Sequence, residues 1–347
     1  MKKLKLALIG FGNAGRAFAE MLHEKEKDIE EKYGCGIIVT AISTYSRGAI
    51  VDSEGIDLMA AVKAVEEKGH FYESTRGYTE LGAMDIIEQA DYDVMCEMTP
   101  LNIFTGQPAT DHIKSAFKRK KHVVTANKGP VAWFYRELKN MAEENGLMFF
   151  CETTVMDGTP VFNLAENCLK LCRVSEISGI LNSTTNYILE EMEKGTEYDT
   201  IISEGRKKGF IEADPDTDIK GYDAAAKVAA LMNVLMDAGI TPEDVECKGI
   251  EDISYDEVKS ASEKGFVHKL LCKGSIKDGV PHAFVKPVLV EKTHMLAGID
   301  STTSVVSITT DLMGKITVTE HEPEIKQTAY GIFGDCLRVL EGMESLW

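Results

Sequence analysis

Gly10-Phe11-Gly12-Asn13-Ala14-Gly15 decides how the first part of this chain is read. The six residues fit G-x-G-x-x-G, a pattern that is weak alone and informative only in context. Here Leu4 to Ile9, just before it, is a short apolar run that reads as a buried strand. Asn13 to Lys32, just after it, carries Phe18, Met21, Leu22 and Ile29 at helical spacing, and Gly36 to Ser43 has the Ile, Val and Thr content of a second strand. Each glycine has its own task in such a turn. Gly10 permits the tight bend, Gly12 lets the backbone approach a pyrophosphate, and Gly15 lets helix and strand pack closely. The first N–H groups of the helix, from Asn13 and Ala14 onward, then face the phosphates.

Beyond this turn the alternation continues. Tyr92 to Met98 reads as a strand ended by Thr99-Pro100, His112 to Phe117 as a helix, and His122 to Thr125 as a strand. Tyr135 to Glu144 reads as a helix and Leu147 to Cys151 as another strand. Alternation of this kind implies a parallel sheet with helices on both faces. Residues 1–152 are therefore expected to form a Rossmann-type, doubly wound α/β domain. After Glu152 the helices lengthen and the strands (Glu176 to Leu181, Val267 to Ser275, Ala283 to Val290, Val305 to Thr310) stop alternating. Residues 153–316 read as a second, α+β domain for substrate, catalysis and dimerisation. Thr328 to Leu340 is amphipathic and helical, so 317–347 is expected to pack back onto the first domain or to form a subunit interface.

Composition narrows the function. The formal net charge of −18 repels nucleic-acid phosphates and anionic membrane surfaces, so neither is an expected partner. No run of about 18 apolar residues predicts a transmembrane helix. The start, Met1-Lys2-Lys3-Leu4-Lys5 and then Leu6 to Ile9, resembles a signal peptide in charge, but it leads into Gly10-Phe11-Gly12 with no small-residue cleavage site. The eight cysteines are scattered, several inside apolar runs, as expected of buried free thiols in a reducing cytoplasm. Cys168 and Cys172 stand four apart, and on a helix they could share a metal. No second Cys or His pair completes four ligands, and two core-facing thiols are the expected arrangement.

Four further segments carry chemistry. In Thr125-Ala126-Asn127-Lys128-Gly129 a lysine stands at the carboxyl end of a parallel strand, where it projects into the ligand crevice. Glu152-Thr153-Thr154-Val155-Met156-Asp157-Gly158-Thr159-Pro160 falls at the expected domain junction. Asn182-Ser183-Thr184-Thr185-Asn186 offers hydroxyls and amides to a small polar ligand, with Thr185 or Asn186 as the N-cap of the following helix. Finally, Glu212-Ala213-Asp214-Pro215 leads through Asp218 to Asp223 and Lys227, which are four apart and share one helical face. As structure this is a surface ion pair. As chemistry it presents an acid and a base together beside Glu212. The second strand ends Ser43-Thr44-Tyr45-Ser46-Arg47 with no acid to hold ribose hydroxyls, and Ser46 and Arg47 suit a 2′-phosphate, so NADP is expected ahead of NAD.

Taken together, these segments resemble the homoserine dehydrogenases, from the glycine turn to about Ile253. The Thr-Ala-Asn-Lys and Glu-Ala-Asp-Pro…Asp-Ala-Ala-Ala-Lys stretches are the most specific. The resemblance implies the short form, without a regulatory extension, working as a homodimer on a small molecule: reversible, NAD(P)H-dependent reduction of L-aspartate 4-semialdehyde to L-homoserine. It implies Lys128, Lys227 and Asp223 as catalytic residues. Glu212, Asn182, Thr184 and Asp218 are implied on the substrate, and Thr99 and Lys128 on the cofactor. It also implies a monovalent cation, Na+ or K+, held by Glu152, Val155, Asp157 and Thr159. Two departures stand out: Ser183 replaces a glycine, and Thr319 to Glu324 replaces a glycine-rich loop before the last helix. They keep two rivals open, a related oxidoreductase for another small amino-acid aldehyde or ketone, and a cofactor-binding sensor without catalysis.

Overall fold

The computed structural model of the chain describes residues 2–209, 211, 212 and 214–344. It divides into two compact units, Met1–Pro160 with Glu324–Trp347, and Val161–Pro323. The division falls after Pro160 and before Glu324, where the sequence suggested 152 and 317. The 152–160 segment bonds to the last helix of the chain, and 314–320 is a strand of the second sheet.

The first unit runs β1 (Lys2–Ile9), α1 (Asn13–Tyr33), β2 (Cys35–Ser43), β3 (Ala49–Val51), α2 (Leu58–Lys68), β4 (Tyr78–Thr79), α3 (Ala83–Gln89), β5 (Val94–Glu97), α4 (Ala109–Lys118), β6 (His122–Thr125), α5 (Lys128–Glu144) and β7 (Phe149–Phe150). Its sheet has the order β4-β3-β2-β1-β5-β6-β7. From β2 through β7 the neighbours are parallel, as the alternation implied. The edge is different: β3 and β4 add on antiparallel. Strands of three and two residues are too short to show a period, so the sequence did not announce them. The order reverses at β1, with β2 on one side and β5 on the other. In open sheets the crevice beyond the carboxyl ends at such a reversal is where ligands bind.

Two expectations, one in each unit, are corrected. The helix read from Tyr135 begins at Lys128, capped by Asn127, and is divided by a non-helical residue at Phe134 (φ −134°). Its Gly129-Pro130 start masks the helix in sequence, although proline is well placed in a first turn. Cys168 and Cys172 do not share a helix. Leu171 takes a left-handed φ of 62°, the helix ends at Cys168, and Cys168 is exposed rather than core-facing.

The second unit runs α6 (Val161–Cys168), β8 (Val174–Ile180), α7 (Ser183–Glu193), α8 (Tyr198–Lys208), α9 (Asp216–Ile219), α10 (Tyr222–Met236), β9 (Glu246–Cys247), α11 (Tyr255–Glu263), β10 (Phe266–Lys277), β11 (Val280–Glu291), β12 (Ser304–Thr310) and β13 (Gly314–Glu320). Its sheet order is β13-β12-β8-β10-β11-β9. The long β10–β11 hairpin is closed by Asp278-Gly279, both at positive φ, the turn whose twist matches paired strands.

The chain ends in α12 (Ile325–Glu344), which belongs to the first unit. Ala329, Ile332, Phe333, Cys336, Val339 and Leu340 lie in one buried cluster with Leu4, Leu6, Phe18 and Leu22. The amphipathic face seen in the sequence is thus spent on this core. Among the described residues no helix is long and apolar enough to cross a membrane.

Candidate active site

Two groups of side chains, one in each unit, collect the residues singled out by sequence. In the first unit, the glycine turn has the geometry its pattern requires. Gly10 has φ +108°, and a Cβ there would lie 2.3 Å from Met98 O and 2.9 Å from Thr99 N. A Cβ on Gly15 would come within 3.0 Å of Gly10 O, so helix and turn are in contact there. Gly12 differs: nothing lies within 4 Å of the corresponding position, and it caps α1 with no side-chain bond. The turn therefore offers the N-terminus of a 21-residue helix to open space, which suits an anion. Asn13 and Ala14 form its first turn. Arg16, not singled out from sequence, folds back to Asn13 Oδ1 at 2.9 Å and adds a positive charge at this end.

Ser46 and Arg47 lie in the bend joining β2 to β3, beside the turn because Ser43 pairs with Ile9. The bend is fixed by Arg47 N donating to Thr44 Oγ1 at 2.8 Å. Ser46 is exposed and Arg47 half-buried, so both groups reach solvent. On the other side of β1, Thr99 follows β5, and Asn127 donates from Nδ2 to Thr99 O at 3.2 Å while its Oδ1 accepts from Gly129 N. Lys128 therefore opens α5 at the carboxyl end of β6, where its position after a parallel strand puts it.

In the second unit, Asn182 is the centre. Its Oδ1 accepts from Thr185 N at 2.9 Å and so caps α7. The cap is thus Asn182, three or four residues ahead of the expected Thr185 or Asn186. Its Nδ2 donates to Asp218 Oδ1 at 2.6 Å and to Asp223 Oδ2 at 3.1 Å. Lys227 Nζ stands 3.3 Å from Asp223 Oδ2 and donates to Leu181 O at 2.7 Å. The pair is far from a surface decoration, with side chains only 18% and 13% exposed. Burial, and after it the charge of Asp223, pushes the Asp218 carboxyl above its ordinary range; Asn182, Lys227 and the Thr184 hydroxyl oppose this. One ammonium, two carboxylates and an amide are therefore held in a half-dry cluster. Glu212 is exposed, and its backbone carbonyl accepts from Arg206 Nε at 3.4 Å.

The segment at the unit boundary is bonded to α12. Glu152 opens a short 3-10 turn, is buried, and donates from N to Asp335 Oδ2 at 2.9 Å. Met156 and Asp157 take positive φ of 56° and 48°, and Thr159 N donates to Met156 O. Val155 is buried. The Asp157 carboxylate accepts from Thr328 Oγ1 at 2.7 Å, so it ties the segment to α12. Gly158 is required here because a Cβ would lie 2.1 Å from Gln327 O. A loop with two left-handed residues turns successive carbonyls, the oxygen donors a hard alkali ion takes. Among the described residues there is no group of three or more His, Cys, Asp or Glu that would hold a metal.

Three polar residues were missed by sequence. Glu97 ends the apolar strand β5 and is wholly buried. His112 packs beside it with Nδ1 3.4 Å from Glu97 Oε1. Lys269, inside β10, is buried and donates to Asn186 Oδ1 at 2.9 Å and Ile299 O at 2.6 Å; burial pushes its ammonium pKa down. For Glu97 and Lys269 the available signal was a charged residue inside an apolar strand, which is rarely buried without a partner; His112, on α4, gave none.

Comparison with known proteins identifies the family. A family model described as homoserine dehydrogenase matches residues 160–337. A homoserine dehydrogenase of Methanocaldococcus jannaschii is 38% identical over 97% of this chain and 98% of its own length. An NAD(+)-dependent homoserine dehydrogenase of Pseudomonas canavaninivorans is 34% identical over 98% and 97%. Among solved structures, a hyperthermophilic archaeal homoserine dehydrogenase in complex with NADPH superposes with a TM-score of 0.83 at 27% identity, covering 98% of each chain. With the glycine turn at the sheet reversal and the Asn182, Asp218, Asp223 and Lys227 cluster in place, the chain belongs to the homoserine dehydrogenase family.

Proposed function

We propose that the protein is a homoserine dehydrogenase that reversibly reduces L-aspartate 4-semialdehyde to L-homoserine, with the first unit holding the dinucleotide and the second the substrate. The observation that carries this reading is the Lys227–Asp223–Asn182–Asp218 cluster. A bound nicotinamide supplies or accepts the hydride. The alkoxide that develops on the aldehyde oxygen needs a proton and nearby positive charge, and Lys227 can give both. Asp223 holds the Lys227 ammonium in place, 3.3 Å from its carboxylate. In the oxidation direction neutral Lys227 takes the homoserine hydroxyl proton. Lys128 polarises the carbonyl, and Glu212 and Asp218 receive the substrate ammonium, with Asn182 and Thr184 fixing the Asp218 carboxylate. Both departures are compatible with this: Ser183 opens α7, and Thr319 and Glu320 belong to β13, leaving only 321–324 as the loop before α12.

The open space above Gly12 fits a pyrophosphate. The bend after β2 supports NADP(H), since Arg47 and Ser46 stand where a carboxylate would otherwise hold the ribose. Relatives of both kinds exist, one named NAD(+)-dependent and one bound to NADPH. Glu152 with carbonyls of Val155 and Thr159 is the proposed seat of a monovalent cation, and Asp157 acts there by bracing the loop. We place the enzyme in the cytoplasm, on its free thiols, and as a homodimer, on exposed Val280 and Leu289 of β11 and Leu312 and Met313 of the β12–β13 turn. Oxidation of NADPH and NADH by the purified protein with aspartate semialdehyde tests the reading. Turnover is expected, faster with NADPH; no turnover with either cofactor overturns it. Sedimentation at assay concentration tests the dimer.

A further inference from the structure

Glu97 has more to do than its burial explains. Its Oε1 accepts from the Thr99 hydroxyl, from Thr99 N at 3.3 Å, and lies 3.4 Å from His112 Nδ1. Its Oε2 is buried with no hydrogen-bond partner among the described residues. A carboxylate oxygen only accepts, so the Thr99 hydroxyl proton must point at Glu97. A hydroxyl that ordinarily rotates between donor and acceptor is thereby fixed, its free lone pairs facing away from Glu97 as an acceptor. The backbone on both sides is also held: Ala126 N donates to Glu97 O at 2.9 Å and Asn127 Nδ2 to Thr99 O.

The position gives the acceptor a partner. A Cβ on Gly10 would lie 2.9 Å from Thr99 N, so Thr99 is immediately beside the dinucleotide turn. It stands on the β5 side of the reversal, opposite the β2 side where Arg47 and Ser46 lie. A dinucleotide laid across the reversal with its adenosine ribose at Arg47 has its nicotinamide half on the Thr99 side. The group on that half with N–H donors is the carboxamide. Resting on the dehydrogenase reading above, we propose that Glu97 is a positioning residue that locks Thr99 Oγ1 as a hydrogen-bond acceptor for the nicotinamide carboxamide, orienting the ring for hydride transfer.

A cofactor analogue isolates this contact. In 3-acetylpyridine adenine dinucleotide phosphate a methyl replaces the carboxamide NH2, so the donor is gone. The quantity to follow is the ratio of kcat/KM for NADP+ to that for the analogue, in homoserine oxidation, for wild type, Glu97→Leu, Glu97→Gln, Thr99→Val and Glu97→Leu/Thr99→Val. The expected result is a shift of the ratio about tenfold toward the analogue in Glu97→Leu and in Thr99→Val, with no further shift in the double variant. Glu97→Gln, which keeps an acceptor oxygen, stays near wild type, and affinity for 2′,5′-ADP is unchanged throughout. A general loosening of the fold lowers both cofactors alike and leaves the ratio where it was. A ratio unchanged within twofold in Thr99→Val, or in Glu97→Leu where that variant folds, overturns the inference, as do single shifts that multiply in the double variant. Absence of wild-type turnover with either natural cofactor instead overturns the dehydrogenase reading.

Discussion

Asn182→Asp separates two tasks that one amide performs. Oδ1 caps α7 through Thr185 N, and Nδ2 donates to Asp218 and Asp223. Aspartate caps a helix about as well as asparagine, so the cap survives. Both donors are lost, and a third carboxylate faces two others across 2.6 and 3.1 Å contacts. Hydrogen bonds to charged groups are worth about 1.5–3 kcal/mol each, which sets an upper bound of ~3–6 kcal/mol with all three ionised. Proton uptake by one carboxyl restores a donor and limits the loss, at about 1.36 kcal/mol per pH unit above that group's pKa. A net destabilisation of about 2–4 kcal/mol at pH 8, shrinking toward pH 5, is therefore expected. The sign follows from Asp218, whose folded pKa is already raised above 3.8 by burial and Asp223 and rises further in the variant. A raised carboxyl pKa means the folded state binds the proton more tightly, so stability falls as pH climbs through the raised value. Hydrogen exchange of the α7 amides at pH 5.5 and 8, corrected for intrinsic rates, reads this locally without assuming a two-state transition of a two-unit chain. Asn182→Ala, which loses the cap as well, should cost about 1 kcal/mol more at pH 5.5. Protection of α7 in Asn182→Asp equal to wild type at pH 8, or a loss independent of pH, would refute the bridging role.

Four other outcomes are expected. Lys227→Ala lowers kcat by about 10²–10⁴ with cofactor affinity nearly unchanged; a kcat within about tenfold of wild type, ~1.4 kcal/mol, removes Lys227 from proton transfer. Arg47→Ala lowers the preference for NADP(H), and kcat/KM values equal for both cofactors before and after the change sink the 2′-phosphate assignment. Replacing Na+ and K+ by a bulky organic cation lowers activity or the thermal midpoint; if neither moves, the Glu152 segment is a structural loop only. Asp218→Asn lessens the decline of stability between 3.8 and the raised Asp218 value, and parallel pH–stability curves for variant and wild type would contradict the shift.

Much of the first unit was legible because its signals are local. Gly10, Gly12 and Gly15 fall in one six-residue pattern between a strand and a helix, and the parallel strands are continuous apolar runs. Lys128 and the Asp223–Lys227 spacing were readable for the same reason. What failed depends on distant partners. Asn182 became the cap because Asp218 and Asp223, dozens of residues away, hold its other end. Glu97 and Lys269 look anomalous in apolar strands until Thr99, His112 and Asn186 are placed beside them. The helix that the cysteine spacing alone would have continued stops at Cys168, and Leu171, in a left-handed conformation that its residue type disfavours, separates Cys172 from it.

The placement of α12 matters while the protein is being made. The first unit is complete only with Glu324–Trp347, yet the whole of Val161–Pro323 is translated before that helix exists. At about 5–20 residues per second the ribosome needs on the order of 10–30 s for the intervening stretch. Throughout that interval Leu4, Leu6, Phe18 and Leu22 lack the helix that covers them in the finished core. The nascent nucleotide unit therefore emerges with an uncovered apolar face, a natural target for holding chaperones, while the later-made unit has all of its own elements and can finish first. Truncation before Ile325 would make that transient state permanent, and aggregation rather than a soluble half-protein is the consequence of the chain's order.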